Sequence, residues 1–445
     1  MKRIEEKVLS LWSDTISRPY SVFGPMTQSG NTTPVIVFHK RFMVGAILTV
    51  VVITLLTGCG RDPVSPPPPT PVPEVGSLGG GSPTITQEAD ADDRAETEPR
   101  AGQVGSVAQE IKGISGWINS EPFSIASLQG KVVLVDFWTY TCVNCIRTIP
   151  FLKEWYEKYS DEGLVIVGVH TPEFEFEHVR ENVEAAVEEF QIKWPVLQDN
   201  EMRTWQAFNN MFWPAKYLID KDGVIQYTHF GEGKYVETEL EIRKLLNETG
   251  ARIDGIVANS DSGPALNDQA SSGELETSQT REIYAGLGRN MNSQVPYIIQ
   301  VEFYSNPQST PILLEDPGDH QNHFLYLQGI WINGLESIQH ARVTEDLEDY
   351  AALKYFGNSV NVVLQNKGEP YRVYLTVDEG PIPVTDRGAD IKVGKDGRTF
   401  IFVDQDRMYR LIESPVYGGH EMKLSSNSNE FVIYAFTFGS YSTGP

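Results

Sequence analysis

The sequence predicts an α/β domain followed by an all-β domain, and three observations carry that expectation. The run Val132–Trp138, VVLVDFW, is apolar and β-branched with one acid inside it, as for a strand buried on both faces. Directly after it, Ile146, Ile149, Leu152, Trp155, Tyr156 and Tyr159 recur at helical spacing. From Tyr297 onward the pattern changes to short alternating runs separated by turns, with no long helix. At 445 residues the chain has room for two or three domains. Three cysteines cannot staple a scaffold of that size, so each domain must be held by its own apolar core. A formal charge of −24 argues against nucleic acid as a partner and against electrostatic docking on anionic lipid.

In chain order, residues 1–59 read as a leader. His39-Lys40-Arg41 precedes the largely apolar Phe42–Leu56, the charged and hydrophobic regions of a signal peptide. That apolar run is about 15 residues, short of the roughly 20 a spanning helix needs, with an uncleaved anchor as the alternative. It ends in Leu56-Thr57-Gly58-Cys59, which resembles the bacterial lipobox, with Cys59 the lipid-bearing residue. The protein is therefore expected to be exported and held as a lipoprotein on the extracytoplasmic face of a membrane. The stretch Met1–Val35 is too long for an ordinary leader, which makes Met26 the better start. Residues 60–105 contain Pro66-Pro67-Pro68-Pro69, Gly79-Gly80-Gly81 and an acidic patch from Glu88 to Glu98. Such composition cannot bury a core and reads as a disordered tether.

Residues 106–252 make up the α/β domain. After the central strand and its helix, Leu164–His170 reads as a second buried strand, Glu177–Phe190 as an amphipathic helix and Thr204–Asn209 as a shorter one. Ala215–Ile219 and Val224–Phe230 flank Lys221-Asp222-Gly223, a hairpin turn signal, and Tyr235–Asn247 closes the domain as a helix. Thr171-Pro172-Glu173-Phe174-Glu175 follows the carboxyl end of a parallel strand, where α/β sites gather. Glu173 and Glu175 read as a solvated loop face, with help in proton transfer as the alternative, and His170 reads as structural. Residues 253–280, rich in Ser, Asp, Gly and Asn, read as a linker. Within 281–445 the expected strands are Tyr297–Phe303, Phe324–Ile332, Val360–Gln365, Tyr371–Val377, Thr399–Val403, Met408–Glu413, Glu421–Ser425 and Phe431–Phe438. They read as an antiparallel, jelly-roll-like β-sandwich.

Between the first strand and the first helix stands Cys142-Val143-Asn144-Cys145. Two thiols three positions apart are thus delivered to the first turn of a helix, where free N–H groups and the positive end of the dipole favour thiolate. An unperturbed cysteine is only about 3% thiolate at pH 7, and a pKa near 7 makes it roughly half. Nucleophilicity falls with pKa, so the net gain in attack rate is about three-fold; the larger gain is a better leaving sulfur. Cys142, the more exposed first thiol, is assigned as nucleophile and Cys145 as resolving thiol of a dithiol/disulfide redox centre. A zinc site would need about four Cys or His ligands and the chain has one other cysteine, so no metal is expected.

The stretch from Asp136 to Pro150 resembles the active-site segment of the thioredoxin superfamily, most closely its exported TlpA-like and DipZ-type members. On that resemblance Asp136, six residues before Cys142, is the buried acid that accepts the resolving thiol's proton. Trp138 matches the tryptophan four before that cysteine, and Pro150 the proline that kinks the active-site helix. Trp213-Pro214 matches the cis-proline opposite the two sulfurs, so Trp138, Trp213 and Pro214 are implied to border the substrate, with core packing an equal reading of Trp138. The chain departs from thioredoxin at Val143-Asn144, where Gly-Pro would stand, and at Thr141, in place of tryptophan. The long crossover between Leu164–His170 and the hairpin matches the insertion of TlpA-like proteins.

Residues 281–445 resemble the carbohydrate-binding-module-like C-terminal domain of DipZ-type proteins, through Glu282-Ile283-Tyr284-Ala285-Gly286, His323-Phe324 to Trp331, and Phe436-Thr437-Phe438-Gly439. Carbohydrate is thereby implied as a candidate ligand; Trp331, Tyr371, Tyr374 and Tyr417 read first as core packing, with a sugar platform as the alternative for each, and docking of protein substrates or cover for the redox domain as other roles of the module. The resemblance as a whole implies a membrane-tethered thiol–disulfide oxidoreductase, working as a reductase on protein disulfides, with no cofactor beyond the Cys142–Cys145 pair. DipZ-type proteins carry their own transmembrane electron donor; this chain would need a separate, CcdA-like one. Two rivals stand beside this reading. Thr139, three before Cys142, fits a thiol peroxidase, although Val135 stands where such enzymes have proline. A non-catalytic cell-surface lipoprotein that binds glycan or protein would use the fold only as a scaffold.

Overall fold

Two sheets with different periodicities organise residues 100–260 and 277–440, which a computed structural model of the chain describes. Cys59, the leader and nearly all of the tether lie outside the described residues. The first sheet contains β1 (Gly116–Ile118), β2 (Val132–Trp138), β3 (Leu164–His170), β4 (Val196–Gln198), β5 (Ala215–Ile219) and β6 (Ile225–Phe230). Their order is β1-β4-β3-β2-β5-β6, with β2–β3 and β3–β4 parallel and the other pairs antiparallel. The helices are α1 (Val143–Tyr159), α2 (Arg180–Glu189), α3 (Arg203–Ala207) and α4 (Tyr235–Thr249).

Alternation along β2 explains its uninterrupted apolar run. Val132, Leu134 and Trp138 pack with Ile149, Leu152 and Trp155 of α1 and with residues of α2 and α4. Val133, Val135 and Phe137 pack on the other face with Trp205 of α3 and Phe208. Both faces are therefore apolar, and neither can carry the polar half of an alternating strand. The same parity turns Asp136 toward the α1 side.

The expected helix Glu177–Phe190 is divided: a 3-10 turn covers Glu175–His178, Val179 is extended, and α2 begins at Arg180. The break follows from Glu177, whose carboxylate turns back to the N–H groups of Glu173 and Phe174. The expected linker is anchored at its start, where Ile253 is buried in the α/β core and the Asn259 N–H donates to Glu239 at 2.9 Å.

The second region is a large all-β assembly: β7 (Ile283–Tyr284), β8 (Pro311–Leu314), β9 (Leu325–Asn333), β10 (Ile338–His340), β11 (Tyr350–Gln365), β12 (Tyr371–Val377), β13 (Lys392–Val393), β14 (Thr399–Val403), β15 (Arg407–Ser425) and β16 (Val432–Gly439). The ladder runs β13-β14-β12-β15-β11-β16-β10-β9-β8, β7 adds to β16, and β9 also pairs with β11. The two strands expected over 408–413 and 421–425 are one, β15, because β11 pairs with it from Tyr350↔Ser425 to Leu364↔Arg407. Turn-like residues between them read as a break in isolation; here they are taken up as a register shift, from Gly357↔Gly418 to Ser359↔Glu413. A Cβ on Gly419 would lie 2.5 Å from the Phe356 ring, so a side chain there would have to displace that ring. Tyr297–Phe303 is not a strand: Asn290 Oδ1 captures the Tyr297 and Ile298 N–H groups at 2.9 and 3.0 Å, and a helical turn follows at Glu302–Ser305. The candidate aromatics take the core reading rather than the sugar-platform alternative. Trp331, Tyr371 and Tyr417 are buried, and Tyr374 is half-buried under the Arg398 guanidinium, 4.5 Å from its ring centre.

The two regions share apolar contacts. Phe174 and Phe176, in the loop after β3, meet Tyr434 of β16 edge-on at 5.1 and 4.8 Å, and Val363, Met408 and Val432 extend the same cluster. Glu173 is not the solvated residue expected. Its side chain is 10% exposed, takes Arg289 Nη2 at 2.7 Å and accepts from the Tyr284 hydroxyl at 2.9 Å. Burial pushes its carboxyl from the usual 4.5 up to about 8, with Glu282 adding to the rise and Arg289 opposing it. A carboxyl with a raised folded-state pKa holds its proton more tightly when folded, so its contribution to stability is present below pH 4.5 and is lost as pH rises toward 8. Glu173→Gln should therefore flatten the decline in unfolding free energy between those limits, measured by urea titration across pH. An unchanged slope would refute the assignment.

Candidate functional site

The turn from β2 into α1 places the two cysteines. Cys142 is the N-cap of α1 in extended backbone, φ −76° and ψ 108°, and its Sγ accepts the Cys145 N–H at 3.2 Å. The two residues form a disulfide with a Cα–Cα distance of 5.2 Å. Cys145 is buried at 1% exposure, whereas Cys142 is partly exposed. The more exposed cysteine is therefore the one whose Sγ receives a helix N-terminal N–H, the position that favours thiolate. Pro150 lies inside α1, where it withdraws one donor from the helix ladder.

Asp136 is 2% exposed and faces the side on which Cys145 packs. Directly opposite it in the β2–β5 register stands Lys216, ion-paired to it at 3.1 Å and equally buried. Burial pushes the Asp136 carboxyl up, and Lys216 pulls against that rise. Sequence reasoning missed Lys216. The signal was there: a lone cation inside the apolar run Ala215–Ile219, at the position that faces the lone acid of β2.

The Trp213–Pro214 peptide is cis. Since Phe137 pairs with Ala215, Pro214 stands one step further on, beside Trp138, at the sheet end from which α1 starts. Trp213 is half-buried; its indole N–H donates to the Thr171 carbonyl at 3.0 Å, and its ring packs 4.2 Å from Trp205. Met211 and Phe212 just before it are 69% and 49% exposed, and Phe212 pairs with Phe230 at 5.5 Å, so an apolar surface adjoins the cis-proline. Trp138 is different. At 3% exposure, edge-on to His170 at 5.3 Å, it is core and offers no face to a substrate, which corrects its expected place at the substrate border. His170 is fully buried, stacks on Tyr140 and is held neutral, its pKa lowered to about 3 by burial.

Two further groups escaped the sequence. Glu177, fully buried, accepts the Thr141 hydroxyl at 2.6 Å and the N–H groups of Glu173 and Phe174 at 2.6 and 3.0 Å. In the run Glu173-Phe174-Glu175-Phe176-Glu177 nothing local marks which acid turns inward. Arg147, on α1 shortly after Cys145, reaches Glu232 at 3.8 Å and Ser359 of β11 at 3.3 Å. A cavity of about 480 Å³ opens beside the same helix, between Tyr140, Ile146 and Phe190 on one side and Asp406, Arg407 and Met408 on the other. Among the described residues no cluster of three or more His, Cys, Asp or Glu side chains could hold a metal. No helix among them is long and apolar enough to cross a membrane.

Residues 104–228 match the AhpC/TSA family, and residues 280–439 match the thioredoxin-like C-terminal domain. Protein DipZ of Mycobacterium tuberculosis is 42% identical over 188 residues, which is 42% of this chain and 26% of that protein. NHL repeat-containing protein 2 of Bos taurus is 36% identical over 157 residues, 33% of this chain and 22% of its own length. Thiol-disulfide oxidoreductase YkuV of Bacillus subtilis is 29% identical over 140 residues, 32% of this chain and 94% of its own. The chain thus spans about a quarter of the DipZ relative that it matches. Its described part is a thioredoxin-like domain of the AhpC/TSA type joined to a thioredoxin-like C-terminal domain, homologous to DipZ and to thiol–disulfide oxidoreductases.

Proposed function

We propose that the chain is a thiol–disulfide oxidoreductase acting on protein disulfides, and that it works as a reductant. The observation that carries this reading is the Cys142–Cys145 disulfide at the N-terminus of α1, with Cys142 partly exposed and Cys145 buried. In the reduced protein the Cys142 thiolate attacks one sulfur of a substrate disulfide, forming a mixed disulfide and releasing the other substrate sulfur as thiolate. Cys145 then loses its proton to the Asp136 carboxylate and attacks Cys142 Sγ. This releases the second substrate sulfur and closes the Cys142–Cys145 bond; two electrons have passed to the substrate. Pro214 and Trp213 support the substrate backbone, and the apolar Met211–Phe212 surface extends that support. Restoring the dithiol needs an outside electron donor, for which a CcdA-like membrane protein has the right chemistry. Thr139 weighs against a peroxidase, since its hydroxyl faces His170 Nε2 at 3.3 Å.

Equilibration of the full chain against dithiothreitol tests the reading. A two-electron couple near roughly −270 mV is expected, whereas a value near about −120 mV would make the protein an oxidant. Absence of any couple would sink the proposal. Cys145→Ser should trap substrate as a mixed disulfide visible on non-reducing gels, and Cys142→Ser should trap none. The Asp136–Lys216 pair gives a second test. Lys216→Met removes the cation that restrains the Asp136 carboxyl, so the acid limb of the turnover–pH profile should move up by about one unit or more. An unmoved limb would separate Asp136 from proton transfer. Export and tethering rest on the lipobox-like Leu56–Cys59; Cys59→Ser should move the protein from the membrane fraction to the soluble one, and continued sedimentation with membranes would discount lipid attachment.

A further inference from the structure

We infer that Glu177 is a positioning residue for Cys142: its buried carboxylate ties the loop after β3 to the residue that precedes the nucleophile, and its charge holds the reactivity of that sulfur in check. The inference rests on the redox reading of Cys142 and Cys145. Glu177 has no access to solvent, and each of its two oxygens is used on a different segment. Oε2 accepts the N–H groups of Glu173 and Phe174, while Oε1 accepts the Thr141 hydroxyl at 2.6 Å. Thr141 is bonded directly to Cys142, whose own N–H is held by the Thr139 carbonyl at 3.3 Å.

A glutamate that served only to cap the 3-10 turn would need the Phe174 N–H alone. The bond to Thr141 adds something a cap does not require: it fixes the backbone from which Cys142 is presented. Burial acts most strongly on this carboxyl and pushes its pKa above the usual 4.5; the Thr139 and Thr141 hydroxyls and the Glu173 and Phe174 N–H groups pull against that rise, and no cation is among the opposing groups. The donors that converge on the carboxyl favour its ionised form, and in that form it sets a negative charge beside the residue next to Cys142, against the helix dipole, in surroundings where screening is weak. The two influences on Cys142 oppose each other, and Glu177 sets the balance. The same loop carries Glu173, which is clasped by Arg289 and Tyr284 of the second domain. The contact reaching Cys142 therefore originates on a loop that the all-β region holds in place.

Glu177→Gln tests this in the full chain. The amide oxygen can still accept the two N–H groups and the amide nitrogen can donate to Thr141, so the shape is kept and the charge removed. The Cys142 pKa, read from the pH dependence of iodoacetamide alkylation of the reduced protein, should fall by about one unit. The reduction potential should become less negative, because stabilising the thiolate stabilises the reduced form. Thr141→Val severs the link but leaves the charge; turnover on insulin disulfides should drop roughly tenfold, with a much smaller change in the alkylation profile. If Glu177→Gln lowers the melting temperature yet leaves the alkylation profile and potential unchanged, the residue is structural only and the inference fails. Should that variant not fold, wild-type turnover by Thr141→Val would overturn the inference equally. Failure of the redox reading itself would show in the wild-type chain, which would then not exchange electrons with dithiothreitol.

Discussion

Strand β2 is hydrogen-bonded along both edges, to β3 and to β5, and covered on both faces. A strand so enclosed has no freedom of register, because a one-residue slip would turn every side chain to the wrong face. The site inherits that rigidity. The end of β2 fixes where α1 begins and therefore where Cys142 stands. Its pairing with β5 sets Lys216 against Asp136 and brings Pro214 to the same end of the sheet. Its pairing with β3 brings His170 opposite Trp138 and starts the loop that carries Glu173 and Glu177. The redox centre proposed for this chain needs its two sulfurs, its acid and its substrate support held to within fractions of an ångström, and one enclosed strand supplies that common frame.

Charge inside this frame is handled in two ways. Asp136 is met by a cation across a strand pair, so its burial is compensated by an opposite charge. Glu177 is met by hydroxyl and N–H dipoles, which solvate it without cancelling its field. The distinction matters for chemistry: the first arrangement pairs opposite charges and is electrically quiet at a distance, while the second leaves burial, which pushes the Glu177 pKa up, opposed by dipoles alone.

What the sequence made legible follows the length and purity of its patterns. The buried strands Val132–Trp138 and Leu164–His170 have the bounds expected of them, and so does Ala215–Ile219. The strands β1 and β4, three residues each, are too short for a period to show. Long-range pairing overrode local turn chemistry in β15, and a side-chain carbonyl displaced a ladder at Tyr297. Among site residues, Cys142 and Cys145 were legible because their spacing is itself the chemistry. Glu177 was hidden because its partners are backbone groups, which every residue has. Trp138 was assigned by position alone, and burial placed it in the core.

The contact between Phe174, Phe176 and Tyr434 carries a consequence for how this chain can be divided. Apolar residues of both regions belong to one continuous cluster, and the described residues of both fall within one compact unit, Ala91–Pro445. A boundary drawn between them on sequence similarity would cut through packed aromatic rings and leave an adhesive surface on each piece. The second region is thus part of the wall of the first and not a detachable accessory. Recombination or truncation at that boundary would cost solubility before it touched a single cysteine.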